Sequence, residues 1–214
     1  MLVFYCGEDE VTKLIAKQLT RFCWTSISDE AIEFEDANPK DRGTKALESL
    51  PKLVNLGMSY PSIGVFDSDG DCILAFLQKY TPSGWTIQYG AINIANDEAE
   101  VWLLADSIGF AKCLDVDLSV LPQKAEHADE IVVPYKTSQF IVNEIAPLSS
   151  SQNVLNTFYT PNKNRKPATY NNLWPDFIEY HWDINRAMAN SVTLTRAVVR
   201  ITDALIRYKD NRQV

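Results

Sequence analysis

Tyr60-Pro61-Ser62-Ile63-Gly64-Val65-Phe66 runs directly into Asp67-Ser68-Asp69-Gly70-Asp71, and a helix-compatible stretch from Cys72 to Tyr80 follows. A short apolar run that stops at an acidic turn and gives way to helical spacing predicts a buried strand, a turn and a helix. The same order stands at the start of the chain. Leu2 to Cys6 is apolar without helical spacing, Gly7 and the acids Glu8, Asp9 and Glu10 follow, and Leu14, Ile15, Gln18, Leu19 and Phe22 recur at helical spacing. A second strand is expected around Ile32 to Phe34. One helix is expected on Ala46, Leu47, Leu50, Leu53 and Val54, a further strand over Thr86 to Ala95, and a helix over Asp97 to Asp106. Strand alternating with helix implies an α/β fold with a mostly parallel sheet flanked by helices, whose ligands lie at the carboxyl ends of the strands. Both acidic clusters fall at such ends.

Beyond residue 118 the pattern weakens, with loops around Ser149-Ser150-Ser151 and Pro161 to Pro167, until an amphipathic helix over Ser191 to Tyr208. The expected organisation is a core over residues 1–118 and a C-terminal helical annex over 119–214, packed together as one continuous domain. No apolar run reaches the roughly 18 residues needed to cross a bilayer, and the first residues lack a signal-peptide pattern, so a cytoplasmic protein without membrane contact is expected. Cys6, Cys23, Cys72 and Cys113 form no CxxC pair and have no histidine at ligand spacing, which excludes a zinc-ribbon or redox motif. A phosphate-binding glycine loop, a GxSxG elbow and a Cys/His pair are all missing, so an intrinsic P-loop ATPase or an acyl hydrolase is not indicated.

The net charge of −8 argues against a simple nucleic-acid-coating protein, but its distribution is uneven. Residues 1–160 hold 11 Lys/Arg against 23 Asp/Glu, whereas residues 161–214 hold 9 against 5. Arg196, Arg200 and Arg207 share one stripe of the last helix, and Lys163, Arg165 and Lys166 lie upstream in a polar loop. Such a face suits the phosphates of DNA or RNA or an acidic partner; a solvated helix surface reads the same way.

Carboxylates that converge repel one another and need a cation or bound protons. Hard oxygen donors select Mg²⁺ or Mn²⁺. Asp67 and Asp69, two apart on an extended strand end, are expected to aim to one side, with Glu8 facing them from the neighbouring strand as ligand or general base. On a continuous helix Glu98 and Glu100 point roughly 200 degrees apart, so they cannot share one ion. Glu100 is the choice for a further ligand, while Glu98 and Asp106 are assigned to capping or to pairing with arginine. The structural alternative is that Asp9 is a helix N-cap and Asp69-Gly70-Asp71 an ordinary turn. An EF-hand match fails, since Gly70 stands at position four and Gln78 at twelve. A haloacid-dehalogenase-like phosphatase, with Asp67 as nucleophile and Asp69 as acid, fits the Phe66-Asp67-Ser68-Asp69-Gly70 motif but not the unit that precedes it.

Several stretches together resemble a bacterial group of Toprim-like proteins related in type to the overcoming-lysogenization-defect nucleases. These are Cys6-Gly7-Glu8-Asp9, Phe66-Asp67-Ser68-Asp69, the helix Glu98-Ala99-Glu100-Val101-Trp102-Leu103-Leu104-Ala105-Asp106, and the closing pattern Tyr170-Asn171, Trp182-Asp183, Arg186-Ala187, Ser191, Leu194 and Arg196-Ala197. The resemblance implies a Toprim-type domain that cuts or binds nucleic acid with Mg²⁺ in defence against phage, beside an ATPase encoded nearby, with a homo-oligomer compatible with this role. A non-catalytic binding subunit is the alternative. The chain departs from the Toprim pattern in placing Gly7 before Glu8 and Thr12 where a further acid is usual, which leaves the functional acid open among Glu8, Asp9 and Glu10.

Overall fold

The structure, a computed structural model, describes residues 1–40, 42–81, 85–96, 98–122, 136–162 and 165–212. Its sheet has four parallel strands in the order β2-β1-β3-β4, where β1 is Leu2–Gly7, β2 Glu33–Asp36, β3 Ser62–Asp67 and β4 Gly90–Ala95. Both faces are covered. On one face Val3, Ile63, Val65, Ala91 and Ala95 pack against α1 (Glu10–Thr25), and that apolar cluster continues into the helices of the second half of the chain. On the other, Cys6, Phe66, Ile92 and Ile94 pack against Leu47 of α2 (Thr44–Glu48), Leu50, Leu53 and Val54 of α3 (Leu50–Leu56) and Phe76 of α4 (Ile73–Tyr80). Side chains one apart on a strand face opposite ways, so each short apolar run serves two cores at once. This is the Toprim-like α/β arrangement expected from the sequence.

The strand order has a functional consequence. From β1 the chain winds through α1 to β2 on one side, then returns through α2 and α3 to β3 on the other side of β1. Winding therefore reverses between β1 and β3, and the crevice outside their carboxyl ends is where open parallel sheets bind ligands.

After β4 come α5 (Glu100–Leu104) and α6 (Ser107–Leu114). A helical turn α7 (Thr137–Phe140) runs on as a π-helical turn over Ile141–Ile145, and α8 is Gln152–Phe158. The short α9 (Trp174–Asp176) also continues as a π-turn, over Phe177–His181, and α10 is Ile184–Asn190. The last helix, α11 (Val192–Asn211), starts at the N-cap Ser191 and lays Leu194, Ala197, Val198, Ile201, Ala204 and Leu205 inward. One cluster includes residues from β1, β3, α1, α5, α6 and every helix from α9 to α11. Among the described residues no helix is long and apolar enough to cross a membrane.

Four elements differ from the sequence reading. β2 is Glu33–Asp36 rather than Ile32 to Phe34, because register with β1, Leu2 beside Glu33 through Tyr5 beside Asp36, and not apolar pattern, defines this exposed edge strand. The helix expected across residues 46–54 is two, broken at Ser49, whose hydroxyl donates to Ala46 O at 2.6 Å just before Pro51. Pro51 has no N–H to give to a continuing helix. β4 begins at Gly90, not Thr86, since β3 begins at its partner Ser62 and offers nothing earlier to pair with. Finally, α5 begins at Glu100, which leaves Glu98 outside the helix.

Candidate functional site

Three adjacent acids leave β1, and the structure separates their roles. Asp9 caps α1, its Oδ1 accepting from Thr12 N at 2.9 Å while the Thr12 hydroxyl oxygen accepts from Asp9 N. Thr12, which stands where a Toprim acid is usual, closes this capping box. Glu10 turns outward to Arg42 at 3.1 Å. Glu8 alone reaches the next strand: its Oε1 accepts from the backbone N–H of Asp67 at 2.9 Å. Gly7 lets the first turn of α1 close onto the end of β1, because a Cβ there would lie 2.7 Å from Lys13 N and 2.9 Å from the Thr12 carbonyl carbon.

Asp67 closes β3, and its Oδ1 accepts from Ala99 N at 2.8 Å, which ties the strand end to the entry of α5. Asp69 does not accompany it on an extended strand end. β3 stops at Asp67, and Asp69 and Gly70 take left-handed conformations (φ 51° and 85°) that turn the chain. Asp69 is exposed and pairs with Lys136 Nζ at 2.6 Å, although its charge still reaches Glu8. It therefore stands at the rim of the site.

The acids before α5 also depart from the helical-wheel expectation. Because Glu98 precedes the helix, it is not held on the opposite face from Glu100, and both meet one cation. Lys166 Nζ lies 3.3 Å from Glu98 Oε1 and 3.2 Å from Glu100 Oε1. Glu100 Oε1 also accepts from the Tyr170 hydroxyl at 3.0 Å. Glu98 is further bound by Ser138, whose N–H donates to Oε2 at 2.7 Å and whose hydroxyl donates to Oε1 at 3.0 Å. Asp106 pairs with arginine as expected, accepting from Arg186 Nε at 2.7 Å and Nη2 at 3.0 Å while capping α6 through Gly109 N. Tyr170, Ser138 and Lys136 are site residues that sequence reasoning missed, and Lys166, which it named for a basic surface, lies on the acids Glu98 and Glu100. Tyr170 at least stands in the motif carrying the family resemblance.

The electrostatics follow from burial and crowding. Burial, then the charges of Glu100 and Glu8, holds the Asp67 carboxyl well above the ordinary range. Burial pushes Glu8 up to about 7 against the help of the Asp67 N–H, and Asp69 and Asp9 add to the rise. Burial likewise raises Glu100, with Lys166 pulling the other way. For Lys166, burial alone would lower the ammonium, but Glu100 and Glu98 outweigh it and the pKa is raised. Carboxylates in this state hold either protons or a cation.

Whether a metal ion suits these residues can be judged from the donors. Glu8 Oε2 and Asp67 Oδ2 carry no hydrogen bond among the described residues, while the partner oxygen of each is anchored by a backbone N–H. They are hard donors on adjacent strands at the winding reversal. Among the described residues no three His, Cys, Asp or Glu side chains are gathered as a ready-made cage. Mg²⁺ does not require one, since it is commonly held by one or two carboxylates with water and substrate phosphate completing the octahedron. Glu8 and Asp67 are the two carboxylates that would hold a hard divalent ion here. In the phosphatase alternative Asp69 would be the acid, but its carboxylate is turned to Lys136 at the rim.

The other basic residues named from the sequence lie elsewhere. Arg196, Arg200 and Arg207 are exposed on α11, which packs along β4; Arg200 Nε donates to Asn93 Oδ1 at 3.1 Å and Arg207 Nε to Gln88 O at 2.9 Å. Trp102 Nε1 donates to Thr193 Oγ1 at 2.8 Å, so the N-terminal end of α11 is the end nearest α5 and Glu100. Arg165 is exposed, and Lys163 lies outside the described residues. Compared with protein-family models, with curated proteins and with solved structures, the chain gives no match in any of the three.

Proposed function

We propose that the chain is a Mg²⁺- or Mn²⁺-dependent Toprim-like nuclease, acting as the effector subunit of an ATPase-linked defence against phage. The observation that carries the chemical part is the meeting of Glu8 and Asp67 across the winding reversal, each with one oxygen anchored and one available. The ATPase partner and the defence role rest on the sequence resemblance alone. In this reading Glu8 and Asp67 hold the ion, Asp69 and Lys136 stand where a substrate phosphate enters, and Glu100 is kept in place by Lys166 and Tyr170. The ion, when bound, supplies polarisation of a phosphoryl oxygen and a water of lowered pKa. The α11 arginines offer phosphate contacts leading away from the centre.

The test is cleavage of plasmid DNA and of labelled RNA by the purified protein in Mn²⁺ and in EDTA. Cleavage that requires Mn²⁺, and that Asp67→Asn, which keeps an acceptor for the Ala99 N–H, reduces by about 100-fold or more without lowering the melting temperature, is the expected result. Equal cleavage by wild type and variant rejects the assignment. A second reading, a non-cutting binding subunit, is favoured by the neutralisation of Glu98 and Glu100 by Lys166, which lets that part of the cluster serve as internal scaffold. It predicts no cleavage and no effect of Mn²⁺ on thermal stability.

A further inference from the structure

Lys166 bridges two carboxylates that have almost no contact with water. The side chains of Glu98 and Glu100 are each 3% exposed, and the ammonium sits 3.3 and 3.2 Å from their Oε1 atoms, above the Tyr170 ring at 5.0 Å from its centroid. Two buried carboxylates side by side demand a positive charge between them. In many phosphoryl-transfer centres that charge is a second divalent ion. Here the chain supplies it. Glu98 has both oxygens engaged, by Ser138 and Lys166, and Glu100 Oε1 is shared by Lys166 and Tyr170. Glu8 and Asp67 each have one oxygen on a backbone N–H and no ammonium within ion-pair distance among the described residues. The acidic cluster is thus divided into a pair that shares one ammonium within ion-pair distance and a pair, Glu8 and Asp67, that has no such ammonium among the described residues.

We infer that Lys166 occupies the place of a second metal ion, so that the centre binds one divalent cation, on Glu8 and Asp67, and not two. The inference rests on the metal-dependent reading above. It makes Lys166 a positioning residue and takes Glu100 out of the ligand set to which its sequence position had assigned it. It also accounts for the different anchoring of the four acids: backbone N–H groups orient Glu8 and Asp67 without adding a full positive charge, whereas an ammonium holds Glu98 and Glu100.

Isothermal calorimetry with Mn²⁺ alone, checked by counting bound Mn²⁺ by electron paramagnetic resonance, tests this on the full chain. Wild type should bind one ion, and Asp67→Asn should abolish binding. Lys166→Met should raise the stoichiometry to two, as Glu98 and Glu100 recruit a cation to the position left by the ammonium, and Lys166→Arg should keep it at one. Should Lys166→Met fail to fold, Glu100→Gln decides: one ion still bound, with affinity lowered no more than about tenfold, supports the inference. Two Asp67-dependent ions in wild type, a folded Lys166→Met that still binds one, or loss of binding in Glu100→Gln overturns the inference and leaves the metal-dependent reading standing. Binding of no ion by wild type, or binding that survives Asp67→Asn, overturns that reading and the inference with it.

Discussion

Burial holds the Glu8 carboxyl at about 7 in the folded chain, against an ordinary glutamate pKa near 4.3 when unfolded. Between these values the folded state binds more protons than the unfolded one, so stability falls as pH rises through the window and the decline is complete above about 7. This is the reverse of the usual salt-bridged carboxylate. Glu8→Gln keeps an acceptor for the Asp67 N–H and removes the charge. In EDTA at pH 8 it should stabilise the protein by about 1–3 kcal/mol, allowing for solvent screening of a half-buried group, and at pH 4 by nothing measurable. Urea titrations at the two pH values check this; equal stabilities at pH 8 would mean that Glu8 is not held in a crowded acidic site. At this scale the sequence reading chose Glu8 as the acid facing Asp67, with the register left open to Asp9 or Glu10. The N-cap role of Asp9 was legible as a local alternative, because capping is decided within four residues, but the reach of Glu8 to β3 has no local signal.

Helix α5 shows how an element is tied down at both ends. At its start Glu100 engages Lys166 and Tyr170; in its middle Trp102, fully buried, donates to Thr193 of α11; just past its end Asp106 accepts from four donors, Gly109 N, Asp183 N and Arg186 Nε and Nη2. Asp106→Ala strands two backbone N–H groups and leaves the Arg186 guanidinium with Asp183 and water as its remaining partners. It should cost about 2–4 kcal/mol, or roughly 4–15 °C of melting temperature for a chain of this size, while leaving Mn²⁺ binding intact if the protein is assayed well below its transition. Thermal scans of the variant measure this, and a decrease under about 1 kcal/mol would contradict the latch. The sequence predicted the arginine pairing of Asp106. It also expected one helix from Asp97, and the later start at Glu100 changed the chemistry, because a Glu98 outside the helix is free to join Glu100 on one ammonium.

Over the whole molecule the charge separation of the sequence is only partly kept: Arg196, Arg200 and Arg207 are exposed along α11, whereas Lys166 and Arg186 pair with Glu98, Glu100 and Asp106. If α11 holds nucleic acid by its phosphates, replacing Arg196, Arg200 and Arg207 together with alanine should weaken binding uniformly across sequences. The slope of log affinity against log salt should fall by about 2–3, near 0.9 for each phosphate no longer neutralised. Fluorescence anisotropy between about 50 and 200 mM salt measures it, and an unchanged slope would return the stripe to being a solvated face. A melting curve belongs beside it, since Arg200 and Arg207 also bond to Asn93 and Gln88.

What the sequence determined by itself was the wound parallel sheet, the acids at the ends of β1 and β3, and the amphipathic last helix. Each is written in a local alternation of apolar and polar residues, and burial of apolar surface acts on such patterns directly. The facing of Glu8 and Asp67 was expected from their strand ends, but only the tertiary structure decided that Glu8, and not Asp9 or Glu10, makes the contact, that Asp69 turns away to Lys136, and that Lys166 and Tyr170 enter the site. Those contacts join residues 59, 67, 66 and 70 positions apart. At such separations periodicity carries no information, and the packing of strand ends and loops, together with the need to neutralise buried charge, selects the partners.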